Sequence, residues 1–221
     1  MSTILVSGAG RGLGLELARQ YAADGWRVIG TVRDAAAKLP PNVERQIADV
    51  TQREQIQMVA KALRGVALDV LFCNAGIIGK RGMALGSFDY ASWEEVLRVN
   101  VLGAAALAEA LVDNVAASER KVIAMMSSRL GSIAEASGMT LPYATSKAAL
   151  NMLVKGLAAT LAGKAVIVVA LSPGWVRTDM GGAGAPLAPE TSVAGLRKVI
   201  GGLKPADSGR FLSHDGSSIP W

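Results

Sequence analysis

The segment that most constrains the fold lies near the start of the chain, where an apolar stretch runs directly into a series of glycines. Residues 4–14 read ILVSGAGRGLG, and the amphipathic stretch LELARQYAA follows. This order predicts a strand, a tight turn and a helix. Glycines let the backbone turn sharply and approach a pyrophosphate closely, and the helix N-terminus offers free N–H groups and a favourable dipole. The segment therefore predicts a nucleotide site, or else a tight turn that binds nothing.

The same alternation of apolar runs and amphipathic stretches continues along the chain. Strands are expected at Thr3–Ser7, Arg27–Val32, Val43–Ala48, Leu68–Asn74, Lys121–Ser127, Ala165–Leu171 and Arg210–Ser213. Helices are expected at Leu13–Ala23, Gln52–Leu63, Trp93–Val112, Tyr143–Leu161 and Thr191–Ile200. Capping boxes of the form Ser/Thr-x-x-Glu, at Thr51 and Ser92, mark two helix starts. Repeated strand–helix–strand units predict one α/β domain over residues 1–221, with a doubly wound, parallel sheet of about seven strands and helices on both faces.

Composition excludes several classes of site and partner. One Cys and one His rule out a disulfide scaffold and the usual Cys/His zinc sites, so we expect no metal. The chain has no apolar run of 18 residues and no signal peptide, so we expect a cytoplasmic protein without a membrane partner. The net charge of +5 comes from scattered basic residues, which favours a solvated surface over a nucleic-acid interface.

The second strand bears on the choice between two nicotinamide cofactors. An acidic residue about 20 residues beyond the glycines would hold the ribose 2′-hydroxyl of NAD. Val32 occupies that place here, with Arg33 next and Arg11 in the glycine turn. Two guanidinium groups near the ribose would suit the 2′-phosphate of NADP. We therefore expect NADP(H), with NAD(H) still possible because Asp34 could reach the ribose in a slightly different register.

The sequence YATSK places Tyr143 and Lys147 one helical turn apart on the same face. A phenol has a pKa near 10, and a nearby ammonium would lower it toward the range useful for acid–base catalysis. A surface pair would show the same spacing, but this one opens a helix after a long loop, residues Ser128–Pro142. Asn100 lies within the apolar helical stretch LRVNVLGAAAL, where an amide needs a hydrogen-bonding partner.

These motifs, in this order, resemble the short-chain dehydrogenase/reductase family. The family's Thr-Gly-x-x-x-Gly-x-Gly turn appears here with Ser7 in the Thr place, and its Asn-Asn-Ala-Gly turn appears as Cys73-Asn74-Ala75-Gly76. The resemblance covers essentially the whole chain. The loop SSRLGSI and the closing segment Ser208–Gly216 resemble in particular the branch of C-factor and sniffer-type carbonyl reductases. The family resemblance implies a Rossmann fold and NAD(P)-dependent hydride transfer between a carbonyl and an alcohol.

The resemblance also implies roles for individual residues. Tyr143 would be the general acid/base, Lys147 would assist it, Ser128 would polarise the substrate, with Ser127 as an alternative, and Asn100 would hold a proton-relay water. Cofactor contacts are implied for Ser7, Gly8, Arg11, Gly12, Leu13, Gly14, Arg33, Asp49, Val50, Asn74, Ala75, Gly76, Tyr143, Lys147, Pro173, Gly174, Val176 and Thr178. His214 has no base–nucleophile context and is interpreted as a surface residue.

Other functions and partners stay open at this stage. The chain could be a signalling or regulatory protein that keeps the fold and binds NADP(H) with little turnover. An extended-family epimerase would need a further substrate domain, for which 221 residues leave no room. Small residues on Trp93–Val112 and Tyr143–Leu161, together with the resemblance, predict a homodimer or homotetramer. The substrate would be a small carbonyl or alcohol, which the sequence does not identify, in a relatively open site.

Overall fold

All seven strands run parallel in one sheet. The computed structural model describes residues 1–221, and its strand order is β3-β2-β1-β4-β5-β6-β7. The strands are β1 (Thr3–Val6), β2 (Arg27–Val32), β3 (Val43–Ile47), β4 (Val70–Cys73), β5 (Val122–Met126), β6 (Ile167–Ser172) and β7 (Phe211–Ser213). β1 pairs with β2 on one side and with β4 on the other, so the chain winds in opposite directions from β1. A crevice therefore forms at the carboxyl end of β1, between the chain segments that follow β1 and β4. The predicted doubly wound α/β fold is confirmed.

Six α-helices cover the sheet. They are α1 (Gly12–Ala23), α2 (Arg53–Ala62), α3 (Tyr90–Leu97), α4 (Gly103–Ala116), α5 (Leu141–Thr160) and α6 (Pro189–Gly202). None of them is both long enough and apolar enough to cross a membrane.

Two cores, one on each face of the sheet, explain the continuous apolar runs. In β1, Leu5 packs into the core formed with α2, α4 and α5, whereas Ile4 and Val6 pack into the core formed with α1 and α6. Successive side chains of a strand point to opposite faces, so a strand covered on both faces must be apolar throughout. The fully buried strands β1, β4, β5 and β6 show this pattern.

The helix starts differ from those predicted. Helix α2 begins at Arg53 without a side-chain cap, and α3 begins at Tyr90, capped by Asp89, whose carboxylate accepts a hydrogen bond from the Ser92 N–H. The two predicted capping boxes are therefore wrong. The stretch expected as one helix from Trp93 is divided by a π-helical turn at Arg98–Leu102, which contains Asn100.

Candidate active site

A cleft of about 600 Å³ lies at the carboxyl ends of the strands. It brings together fifteen of the predicted site residues: Gly8, Arg11, Gly12, Leu13, Gly14, Arg33, Asp49, Val50, Asn74, Ala75, Gly76, Tyr143, Lys147, Pro173 and Thr178. Five predicted residues lie outside its lining: Ser7, Asn100, Ser128, Gly174 and Val176. The glycine turn and the Tyr143 helix, far apart in the sequence, thus share one cavity.

The glycine turn has the shape that a diphosphate needs. Gly12 has a φ of +52°, which L side chains rarely adopt, and a Cβ there would extend to within 3.8 Å of the Thr178 methyl group. A Cβ on Gly14 would lie 2.2 Å from the Gly8 carbonyl oxygen, so α1 can start directly beneath the turn only with glycine there. No side chain caps α1, which leaves its first N–H groups free for an anion. These features fit the phosphates of a dinucleotide.

Ser7 joins the ends of β1 and β4 from below the cleft. Its hydroxyl is buried and accepts hydrogen bonds of 3.0 Å from the N–H groups of both Asn74 and Ala75. The Asn74 amide donates in return to the Ser7 carbonyl at 2.9 Å. Ser7 therefore shapes the two turns that line the cleft, and its side chain does not face the cavity.

The ribose end of the cleft is lined by charged side chains. Arg33 lies 4.0 Å from the Asp49 carboxylate, and Arg11 lies 3.6 Å from Asp179. Asp49 also accepts hydrogen bonds from the backbone and hydroxyl of Thr51. Asp34 Oδ1 accepts a hydrogen bond of 2.8 Å from the Ala36 N–H, so this carboxylate oxygen already has a partner within the turn that follows β2. Two guanidinium groups thus line this part of the cleft, each with a carboxylate within 4.0 Å.

Tyr143 and Lys147 lie near the start of α5, and both side chains are buried. The Lys147 Nζ is 5.5 Å from the centroid of the Tyr143 ring and donates a hydrogen bond of 2.7 Å to the Met126 carbonyl at the end of β5. Burial lowers the pKa of the Lys147 ammonium to about 7, because a charge is costly in a low-dielectric environment. Burial likewise raises the pKa of the Tyr143 phenol to about 12.

The protonation of this pair differs from the expectation that Lys147 lowers the pKa of Tyr143. Burial dominates both groups, and the one opposing influence on the phenol is a hydrogen-bonding interaction with Ser128, which lowers its pKa. The phenol is therefore protonated at neutral pH. That state suits a proton donor.

Ser127 and Ser128 face different surroundings. The Ser127 hydroxyl is buried and donates to Asn151 Oδ1 at 2.6 Å. Ser128 is half-buried, interacts with Tyr143 and caps the short 3-10 turn Arg129–Gly131. Of the two serines, Ser127 lines the cleft, whereas Ser128 is the one whose hydroxyl lowers the pKa of the Tyr143 phenol.

Asn100 joins α5 to the segment that leaves β4. Its Oδ1 accepts from the Ile77 N–H at 2.8 Å, and its Nδ2 donates to the Ile77 carbonyl and the Ser146 hydroxyl, each at 2.9 Å. These bonds satisfy the amide inside the π-helical turn. A Cβ on Gly76 would lie 3.2 Å from Asn100 Oδ1 and 3.6 Å from Lys147 Nζ, so both groups border Gly76.

The segment after β6 contributes to the cleft only in part. Pro173 and Thr178 line it, whereas Val176 is buried and pairs with Leu187. Gly174 packs against the His214 ring, where a Cβ would lie 3.2 Å from the imidazole. His214 is therefore half-buried beneath this turn, and its interpretation as a surface residue is wrong.

The cleft is also lined by residues that the sequence did not single out individually, although the segment Ile77–Tyr90 was expected to contact the substrate. They include Ile77, Ile78, Gly79, Arg81, Val99, Met126 and Met180. The available signal was position, since several of them directly follow the Asn74-Ala75-Gly76 turn. Arg81 donates a hydrogen bond to the Met180 carbonyl and so joins the segment after β4 to the segment after β6 at the cleft.

Known proteins share the sequence pattern of this chain. The short chain dehydrogenase family model matches residues 2–185. The C-signal protein of Myxococcus xanthus is 40% identical over 155 residues, which cover 70% of this chain and 93% of that protein. The 1-hydroxy-2-glutathionyl-2-methyl-3-butene dehydrogenase of Rhodococcus sp. is 34% identical over 231 aligned positions, covering 100% of both.

Solved structures share the fold over the full chain. A short-chain dehydrogenase/reductase from Burkholderia multivorans with bound NADP superposes with a TM-score of 0.89 at 33% identity, covering 100% of this chain and 99% of that one. The carbonyl reductase Sniffer of D. melanogaster gives a TM-score of 0.92 at 30% identity, with 100% of each chain covered. An NADPH-bound carbonyl reductase from chicken fatty liver gives 0.92 at 29% identity, covering 100% and 99%.

Proposed function

The chain belongs to the short-chain dehydrogenase family of oxidoreductases, and on that premise we propose that it is an NADP(H)-dependent reductase of a carbonyl substrate. The observation that carries the proposal is the shape of the cleft. Its one end is an uncapped helix start beneath a glycine turn, and its other end holds the buried pair Tyr143 and Lys147 beside Ser128.

The residues at the ribose end favour NADP(H) over NAD(H). Val32 stands where an acidic residue would accept a hydrogen bond from the ribose of NAD, and Arg33 and Arg11 border the same part of the cleft. A guanidinium binds a phosphate through two parallel hydrogen bonds. Relatives of known structure carry NADP and NADPH, which supports the same choice.

Each residue at the chemical end has a defined task in the proposed reaction. The bound nicotinamide supplies the hydride, and the protein supplies orientation and electrostatics. Tyr143, protonated at neutral pH, donates its proton to the carbonyl oxygen of the substrate. The Ser128 hydroxyl donates a hydrogen bond to the same oxygen and orients it toward the phenol.

Lys147 and Asn100 support this step without touching the carbonyl. When protonated, Lys147 stabilises the phenolate that Tyr143 becomes after proton transfer, and it binds ribose hydroxyls of the cofactor. Asn100 holds the segment at Ile77 against α5 and supports a water that relays protons to Lys147.

The test is a panel of aldehydes, ketones and quinones with NADPH and, separately, NADH as reductant. We expect carbonyl-dependent loss of the reduced-nicotinamide absorbance, with a lower KM for NADPH than for NADH. Absence of turnover across the panel, with NADPH still bound tightly, would contradict the proposed reductase.

That result would favour a second candidate function, suggested by the 40% identity to a protein named C-signal. The chain would then be a regulatory protein that binds NADP(H) as a structural ligand. Both functions predict that the protein binds NADPH, but only the reductase predicts that it consumes NADPH. Measuring binding and turnover together therefore distinguishes them.

We further propose that the chain forms a homodimer or homotetramer through α4 and α5. Leu102 and Met152 are 62% and 71% exposed, beside the half-buried small residues Ala105, Ala106 and Ala148. Exposed apolar side chains beside small residues allow two helices to pack closely. Light scattering at micromolar concentration should give a mass of at least two chains, and a monomer would contradict this arrangement.

A further inference from the structure

The Asn151 side chain forms hydrogen bonds with residues on both sides of Ser128, to the Ser127 hydroxyl and to the Gly131 backbone carbonyl. Asn151 lies one helical turn beyond Lys147 on α5 and is buried. Its Oδ1 accepts the hydrogen bond of 2.6 Å from the Ser127 hydroxyl, and its Nδ2 donates to the Gly131 carbonyl at 3.0 Å. Ser127 directly precedes Ser128, and Gly131 ends the 3-10 turn that Ser128 caps.

The same turn rests directly on the backbone of α5. A Cβ on Gly131 would lie 2.7 Å from the Lys147 carbonyl carbon, so there is no space between turn and helix. Tyr143, Lys147 and Asn151 are spaced four residues apart and therefore lie along one side of α5. Asn151 thus joins the helix that carries the phenol and the amine to the segment that carries the serine hydroxyl.

We propose that Asn151 is a positioning residue that fixes the Ser128 hydroxyl relative to Tyr143 and Lys147, an inference that rests on the proposed carbonyl reduction. Asn151 does not line the cleft, so it acts through the two residues it holds. A displacement of about 1 Å in a reacting group can lower the rate on the order of 100-fold. Loss of the Asn151 bonds removes one side-chain contact on each side of Ser128, while the backbone bond from the Ser127 N–H to the Leu171 carbonyl remains.

The experiment compares three variants. Asn151→Leu removes both hydrogen bonds, and Ser127→Ala removes only one with the smallest change in volume. The control is Asn114→Leu, because the Asn114 amide also makes two hydrogen bonds to another segment, donating to the carbonyls of Leu63 and Val66 at 2.7 and 2.8 Å, away from the cleft. Measured are kcat, KM for NADPH, the pH dependence of kcat and thermal stability.

We expect kcat to fall roughly 10- to 100-fold in Asn151→Leu and less in Ser127→Ala, while KM for NADPH changes less than about twofold. The alkaline limb of the pH profile should move upward in both, since Ser128 lowers the pKa of Tyr143 and a displaced Ser128 no longer does. Asn114→Leu should lower stability and leave kcat and the pH profile unchanged.

Unchanged kcat and pH profile in Asn151→Leu would overturn the positioning role. If Asn151→Leu does not fold, Asn151→Ala decides in the same way, because it also removes both bonds and leaves Ser127, which lines the cleft, in place. Equal losses in Asn114→Leu would overturn it as well, by showing general destabilisation. Absence of carbonyl-dependent NADPH oxidation in the unmodified protein contradicts the proposed function instead.

Discussion

The two ends of the cleft are built from different parts of the polypeptide. The end proposed to hold the nucleotide is formed by backbone, namely the glycine turn and the start of α1, and the charged side chains of Arg11 and Arg33 there are 68% and 65% exposed. At the chemical end the groups are buried side chains, and Lys147 and Asn100 are held by hydrogen bonds to backbone and to Ser146.

This difference separates affinity from rate. Exposed charges are screened by salt and contribute little to folding, so changes among them should alter cofactor affinity alone. Buried polar groups are costly to leave unpaired, so changes among them should alter rate and stability together.

The largest effect is expected from Lys147→Met. Removing the amine should lower kcat by roughly 10²- to 10⁴-fold, the range of acid–base contributions, because the phenolate formed by Tyr143 loses its neighbouring charge. The same variant should change stability in a pH-dependent way, which unfolding at several pH values would measure.

The sign follows from the pKa of Lys147. The folded protein releases this proton near pH 7, whereas the unfolded chain holds it up to about pH 10.5, so the destabilisation by the buried charge is full below pH 7 and disappears toward pH 10.5. Relative to the unmodified protein, Lys147→Met should therefore be most favoured at pH 7 and below, with a gain that shrinks as pH rises. Lys147→Met also removes the hydrogen bond to the Met126 carbonyl, which costs stability at every pH. The measured quantity is therefore the change of the stability difference with pH, not its absolute value.

The matched control is Lys164→Met. Lys164 is exposed and pairs with Asp113 at 2.6 Å, so its loss should change stability by no more than about 1 kcal/mol, with no trend from pH 7 to 10. A pH trend of the same size in both variants would contradict the assignment to the buried amine.

A smaller effect is expected from Gly12→Ala. The methyl group enters the phosphate cradle at a φ of +52°, so the Kd for NADPH should rise about tenfold, while kcat at saturating NADPH stays close to normal. Fluorescence titration with NADPH measures this. The control is Gly65→Ala, which places an L side chain at a similarly unfavourable φ of +79° with open space around it. It should leave the Kd for NADPH unchanged.

An effect of similar size at low salt, and a smaller one at high salt, is expected from Arg33→Ala. Loss of one charge-assisted hydrogen bond to a phosphate should raise the Kd for NADPH about tenfold at low salt and by less at high salt, and it should leave the Kd for NADH unchanged. Arg53→Ala, at an exposed arginine paired with Glu109 on another face, is the control. Equal losses for NADPH and NADH would show that Arg33 does not read the 2′-phosphate.

Much of this comparison could be predicted from the sequence because it depends on local patterns. The strand–glycine–helix order and the four-residue spacing of Tyr143 and Lys147 pointed to two segments that line the same cleft, and their roles there remain predictions. Both patterns are contained within one or two turns of chain, and continuous apolar runs located the central strands to within one or two residues.

The features that could not be predicted depend on contacts between distant segments. Asp89 rather than Ser92 caps α3, and the π-helical turn at Asn100 depends on its bonds to Ile77 and Ser146. The protonation of the Tyr143 pair was misjudged for the same reason. The i, i+4 spacing shows that Lys147 is near, but only the packed fold shows how strongly burial acts on both groups.

The separation of affinity from rate is tested most directly by Tyr143→Phe. With NADPH saturating and a carbonyl substrate that the unmodified protein accepts, single-turnover loss of the NADPH absorbance should be slower by roughly 10²- to 10⁴-fold. The Kd for NADPH from titration of the same sample should change by less than about threefold, since the phenol supplies a proton and not the phosphate contacts. Full turnover in Tyr143→Phe, or a loss of rate that disappears when NADPH is raised, would contradict a catalytic Tyr143.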